Sequence, residues 1–201
     1  MPAATSAART ATHLLYLHGF RSSPRSAKAQ RMARWAAERR PDLVFACPQL
    51  PPSPAEAVAQ AEHLVAGWPR ATMALMGSSL GGFYATVLAE RLGCPAVLLN
   101  PAVDPARDLA NYLGEQSCWQ DPSQHFYFKP EFVDELRALA PGTLSRPERY
   151  LAVIAKGDEL LDWREMRARY ADCRIKLLEG SDHGLSDFDD YLHELTDFLQ
   201  L

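Results

Sequence analysis

The chain has 201 residues, 47% of them hydrophobic and 23% charged, and a formal net charge of −4. That balance is globular, which excludes disorder and collagen-like structure and suits one domain with a substantial core. A negative overall field argues against nucleic acid as a partner, and no run approaches the roughly 18 apolar residues of a membrane helix.

Residues 1–12 are small and polar and lack the apolar stretch of a signal peptide. They read as a flexible extension ahead of a single domain over 13–201 in a cytoplasmic protein. Short apolar runs then recur at 14–17, 44–47, 73–76, 96–99, 150–155 and 174–178. Runs of that length, nearly continuous in apolar character, predict strands covered on both faces, hence a parallel sheet. Helical patterns fill the gaps. Ser23 and Pro24 suit the N-cap and first position of a helix that Pro41 closes. Further helices are expected over about 54–66, 79–93 and 162–171, and an amphipathic one over 187–199. Alternating strand and helix predicts an α/β fold of about six mostly parallel strands with right-handed crossovers. Residues 105–147 break the rhythm: no strand is legible there, a helical pattern covers 132–139, and aromatic residues abound. They read as a cap or lid insertion over a site, or as a covering loop without a gating role.

Cys47, Cys94, Cys118 and Cys173 form no CxxC pair, and all but Cys118 lie in or beside apolar runs. They are expected to be reduced thiols, with no disulfide framework and no metal site.

The strongest chemical signal is TMALMGSSLGG at 72–82. A buried strand runs into Gly77-x-Ser79-x-Gly81 and on into a helix, the context of a nucleophile elbow. Ser79 would stand at the carboxyl edge of the sheet and at a helix N-terminus, where free N–H groups and the dipole favour a developing oxyanion. The alternative is a Gly-rich turn with a capping serine; Ser78 has the wrong register and reads as structural. Of six histidines, His183 fits a base: it lies in EGSDHG, a polar loop between the last strand and the last helix. His193 falls mid-helix, His13 and His63 precede the serine and look structural, His125 lies in the insertion, and His18 reads as fixing its own loop. Asp158, just after the 150–155 strand, is the expected acid, accepting from the imidazole to set its tautomer. Asp104, after the 96–99 strand, is the alternative. Glu159, Asp162 and Asp182 read as solvated, capping or supporting groups. The oxyanion donors are expected to be the N–H of Leu80 and, from the His18-Gly19-Phe20 loop, that of Phe20. These loops meet if the second strand lies beyond the first and the third on its other side, because ligands bind where the strand order reverses. Arg21, Arg25 and Lys28 open the first helix; they form either an anion site with its N–H groups or ordinary surface pairs.

LLYLHGFRSSPRSAKA, MGSSLGGFYA, LLNPAVDP, KGDELLDWRE and EGSDHGLSDFDDYL together resemble the YqiA-like family of small bacterial α/β-hydrolase-fold esterases, over about 14–199. The resemblance implies a cytoplasmic carboxylic-ester or thioester hydrolase with Ser79 as nucleophile, Asp158 as acid and His183 as base. The N-terminal residues and the stretch 117–125 depart from the family. The expectation is therefore a serine hydrolase acting through an acyl-enzyme on a small ester, or an acyl-CoA thioester, with no cofactor and no metal. An elbow without Asp or Cys argues against dehalogenase, epoxide-hydrolase and dienelactone-hydrolase chemistry. An acyltransferase on the same triad and a non-catalytic small-anion binding protein are the competing readings.

Overall fold

A computed structural model describes residues 10–201. Its first strand, β1 (His13–Leu17), is followed by α1 (Ala27–Arg39), β2 (Val44–Ala46), α2 (Pro54–Leu64), β3 (Met73–Ser78), α3 (Leu80–Leu92) and β4 (Ala96–Leu99). The chain continues through α4 (Pro105–Leu109), β5 (Gly114–Cys118), β6 (Asp121–Phe128) and α5 (Pro130–Leu139). It ends with β7 (Tyr150–Ala155), α6 (Trp163–Arg169), β8 (Arg174–Leu178) and α7 (Leu192–Leu199).

Six strands form one sheet in the order β2-β1-β3-β4-β7-β8, every neighbouring pair parallel. The strand order reverses between β1 and β3, the arrangement expected to bring the candidate site loops together. Period-two alternation sends Leu14 and Tyr16 to one face of the sheet and Leu15 and Leu17 to the other. On the first face they pack with Ala29, Met32 and Ala36 of α1 and Leu192, Leu195 and Leu199 of α7. On the second they pack with α2, with α3 and with Met166 of α6. Both faces are covered, which is why the central strands read as unbroken apolar runs.

Three segments differ from the sequence expectation. Residues 114–128 form an antiparallel hairpin, β5–β6, with an irregularity between Ser117 and Cys118. β6 is exposed over much of its length and β5 is mostly half-buried, both are rich in Glu, Gln, Ser and Asp, and Pro122 lies inside β6, so β-propensity gave no signal. Helix α1 begins at Ala27 rather than at Pro24 because Ser23 Oγ accepts from Arg25 N in a local turn and the chain caps at Ser26. The last helix is interrupted: a 3-10 turn at Phe188–Asp190 precedes α7. Residues 1–9 of the expected extension lie outside the described residues. Ala11 and Thr12 are tied down, with Ala11 N donating to Gln200 O (2.8 Å) and Thr12 N to Thr72 O (2.8 Å). The four cysteines are free thiols; Cys94 is buried and the others are half-buried. Among the described residues no helix is long and apolar enough to cross a membrane.

Candidate active site

Ser79 sits between β3 and α3 with φ 57° and ψ −121°, a conformation that a residue with a Cβ adopts only under constraint. The constraint comes from both sides. A Cβ on Gly77 would lie 2.0 Å from Gly81 O, and one on Gly81 would lie 2.0 Å from Leu17 O. Only glycine lets the elbow close this tightly and rest against the end of β1. The His18-Gly19-Phe20 loop packs directly on the serine: a Cβ on Gly19 would be 3.2 Å from Ser79 Cβ and 3.6 Å from its Oγ.

Asp158 follows β7 and its side chain is fully buried. Its Oδ1 accepts from the backbone N–H of Leu160 (2.9 Å) and Leu161 (2.8 Å), which leaves Oδ2 for His183 Nδ1 at 2.8 Å. A carboxylate held by two amides cannot rotate away from the ring. It fixes the imidazole with the proton on Nδ1 and the acceptor lone pair on Nε2. His183 is largely enclosed, and its backbone N–H donates to Glu159 Oε2 (3.0 Å). The loop that carries it is pinned by Asn100, which is fully buried at φ 42° just beyond β4. Asn100 Nδ2 donates to the carbonyls of Asp182 (3.0 Å) and His183 (3.3 Å), and its Oδ1 accepts from Ala155 N (2.8 Å). One side chain thereby ties the ends of β4 and β7 to the histidine loop.

Ser79 and His183 line one cavity of about 1050 Å³, together with Tyr16, Phe20, Arg21, Lys28 and the hairpin residues Trp119 and Gln120. Leu80 lines a second hollow of about 300 Å³ that shares the 18–22 loop with this cavity, and its backbone follows Ser79 directly. Phe20 stacks edge-on against Tyr112, Phe126 and Phe128 at 5.8, 5.7 and 5.1 Å. This aromatic cluster joins the loop beside the serine to the hairpin. Arg21 completes the joint. Its Nε donates to Ser117 O (2.8 Å), its guanidinium lies 4.0 Å from the Trp119 ring centroid, and its carbonyl accepts from Trp119 N (2.8 Å).

The other candidates divide clearly. Arg25 stays outside the cavity and pairs with Asp121 at 3.4 Å on the surface. Lys28 is at the cavity wall and donates to Gly184 O, one residue past His183. Burial pushes its ammonium down to about 8, against the pull of Asp182 and Asp158. Asp104 caps α4 by accepting from Arg107 N (3.2 Å), and Asp162 caps α6 in the same way. Asp182 accepts from Ser186 N, which holds its carboxyl below the usual range. His18 is buried; its Nε2 accepts from Leu50 N (3.1 Å), so Nδ1 carries the proton and donates to Gly19 O (3.0 Å). Burial lowers its pKa and keeps the ring neutral. The remaining histidines do not line the cavity. Sequence reasoning missed Asn100 as a support of the histidine loop and left Glu159 among the solvated, capping or supporting groups without naming its partner. The LLNPAVDP and KGDE segments contain both, but side-chain to backbone bonds across 82 and 24 residues leave no local pattern.

The sheet order and the elbow define an α/β-hydrolase fold. The chain belongs to the uncharacterised protein family UPF0227, whose model matches residues 13–200. Among solved structures it is similar to the mouse alpha/beta hydrolase domain-containing protein 10, with 14% identity, 93% of this chain and 90% of that one covered, and a TM-score of 0.70. The esterase domain of a Rhodothermus marinus protein is 20% identical over 96% of this chain and 88% of its own, with a TM-score of 0.69. A monoacylglycerol lipase from Paleococcus ferrophilus is 14% identical over 95% of both chains, also at 0.69.

Proposed function

We propose that this chain is a serine hydrolase of carboxylic esters. The observation that carries the reading is the buried Asp158–His183 pair, which opens into the same cavity as a serine held in a strained elbow. In this reading Ser79 Oγ attacks the acyl carbonyl carbon while His183 Nε2 takes its proton. The Leu80 and Phe20 amides stabilise the oxyanion, and collapse expels the alcohol, which takes the proton back from Nε2. A water molecule then gives a proton to the same nitrogen as it attacks the acyl-enzyme, and the acid leaves as Ser79 is reprotonated. A thioester would follow the same steps with a thiol as the leaving group. Phe20, Tyr112 and Leu109 offer an apolar wall for part of the substrate, and the fold is shared with esterases and a lipase. Four free thiols suit the reducing compartment expected from the sequence.

The test is hydrolysis of p-nitrophenyl esters from acetate to palmitate by the wild type and by Ser79→Ala. Turnover by the wild type that disappears in the variant is the expected result, and the chain-length profile sizes the acyl pocket. A folded wild type inactive on the whole series, or a Ser79→Ala variant that keeps turnover, overturns the reading.

A further inference from the structure

Among the described residues two buried side-chain polar atoms lack a hydrogen-bond partner, the Tyr16 hydroxyl and Gln120 Oε1. Both residues line the Ser79 cavity. Native proteins leave few such atoms, because each forfeits its bonds to water, so two in one cavity point to a partner that arrives from outside. Tyr16 is fully buried, and burial drives its phenol far above the ordinary range, so it stays a neutral donor. Its hydroxyl lies beside the Ser78 side chain, one residue before the elbow serine.

Helix α1 starts on the same wall, where Ser26, Ala27 and Lys28 face the cavity. The Ser26 side chain makes no capping bond and the first turn holds no acidic residue. The N-terminal amides of this 13-residue helix therefore keep free donors, and the positive end of its dipole has no counter-charge within its own first turn. The Lys28 ammonium adds a full positive charge at that point and is bonded to a carbonyl, not to a carboxylate. Burial pushes its pKa down to about 8 even though Asp182 and Asp158 pull the other way, so the ammonium is poorly solvated where it stands.

We propose that Tyr16, Lys28 and the start of α1 form a carboxylate subsite, so that the substrates are small esters bearing a carboxylate a few bonds from the scissile carbonyl. The span is short because Lys28 holds Gly184, which follows His183, and Tyr16 adjoins the serine through Ser78. A monoanion matches the wall better than a phosphate dianion. Lys28, Arg21 and the helix end share the cavity with the Glu159 and Asp108 carboxylates, so the net positive charge is too small to balance a dianion. The inference rests on the serine-hydrolase reading for its kinetic test and stands apart from it in its binding test.

The kinetic test compares shape-matched esters. Monomethyl succinate carries the carboxylate on the acyl side and methyl 4-methylpentanoate replaces it with an isopropyl group. Acetoxyacetate and isobutyl acetate make the same comparison on the alcohol side. The expected result is a kcat/KM preference for the anionic member of at least one pair, which shows the side that docks. Lys28→Met lowers that preference about ten- to hundredfold, the scale of one charge-assisted hydrogen bond. Tyr16→Phe lowers it less, and Lys28→Arg restores most of it. Using a ratio cancels any damage to His183 through the lost Gly184 contact, since both members of a pair need the same base. Equal rates within both pairs, or equal losses for both members in Lys28→Met, overturn the proposal. The binding test is calorimetry of monomethyl succinate on Ser79→Ala with and without Lys28→Met. Lys28-dependent binding supports the subsite even if no ester is turned over, which would refute only the hydrolase reading. Binding unaffected by Lys28→Met, or no binding, counts against the subsite alone.

Discussion

Replacing Asp158 by Asn isolates what the buried carboxylate does, because the structure dictates how an amide would sit. Oδ1 accepts from two backbone N–H groups, those of Leu160 and Leu161. An Asn must keep its oxygen there, since turning its NH2 toward them would set donors against two donors in a site closed to water. The NH2 then faces His183 Nδ1 at the position Oδ2 holds 2.8 Å away. The ring must present a lone pair at Nδ1 and carry its proton on Nε2, where it cannot accept from Ser79. Asp158→Asn should thus preserve the loop and lock the wrong tautomer. The loss of kcat should be about 10⁴-fold, as in other triads given this exchange, with the melting temperature nearly unchanged. The assay is kcat on p-nitrophenyl acetate together with a thermal melt. A variant that keeps more than about a tenth of the activity would move the acid elsewhere and refute the tautomer argument. A variant that loses its fold would show the carboxylate to be chiefly structural.

Three further outcomes follow from the same edge of the sheet. Ser79→Gly should abolish turnover yet raise the unfolding free energy by about 1 kcal/mol, since glycine relieves most of the strain at φ 57° and returns some chain entropy; urea unfolding checks both the sign and the size. Asn100→Ala removes three hydrogen bonds and orphans the Ala155 N–H, so the melting temperature should drop by several degrees and kcat should fall more than KM rises, read from one set of melts and initial rates. His18 is held neutral below its ordinary 6.5 by burial, so the unfolded chain takes up the proton first as pH falls. Stability contributed by the neutral ring is full above 6.5 and declines below it until the folded pKa is reached, and His18→Gln should flatten that decline in melts taken across the window.

The sheet was readable from the sequence because its strands are covered on both faces, so each run from 14–17 to 174–178 stands out against polar helix starts. The expected order, with the second strand beyond the first and the third on its other side, is the order observed, and the reversal there is what gathers the site loops. The carboxyl-edge positions of Ser79, Asp158 and His183 were readable for a related reason: each lies just after a strand, in a loop short enough to leave no other place for it. The hairpin at 114–128 was not, since it is stabilised through Phe20, Arg21 and Phe128 and not by its own alternation. Arg21, Arg25 and Lys28 look alike in sequence. Only the fold shows that one stacks on Trp119, one pairs with Asp121 outside and one faces the cavity.

Six non-glycine residues among those described have positive φ, and five of them lie in loops at the carboxyl edge: Arg21 after β1, Ser79 after β3, Asn100 after β4, and Ser181 and Leu185 after β8. Sequence-wide chance would scatter such residues over turns everywhere, so their concentration reflects what the edge must hold. Each is tolerable only because neighbours over-determine it, as Gly77 and Gly81 do for Ser79 and the three bonds of Asn100 do for that residue. The result is a set of loops whose groups are in place before any ligand arrives, which is the condition for dipoles and donors to act without reorganisation. The Tyr16 hydroxyl and Gln120 Oε1, buried at this edge without a partner among the described residues, are held by the same constrained loops.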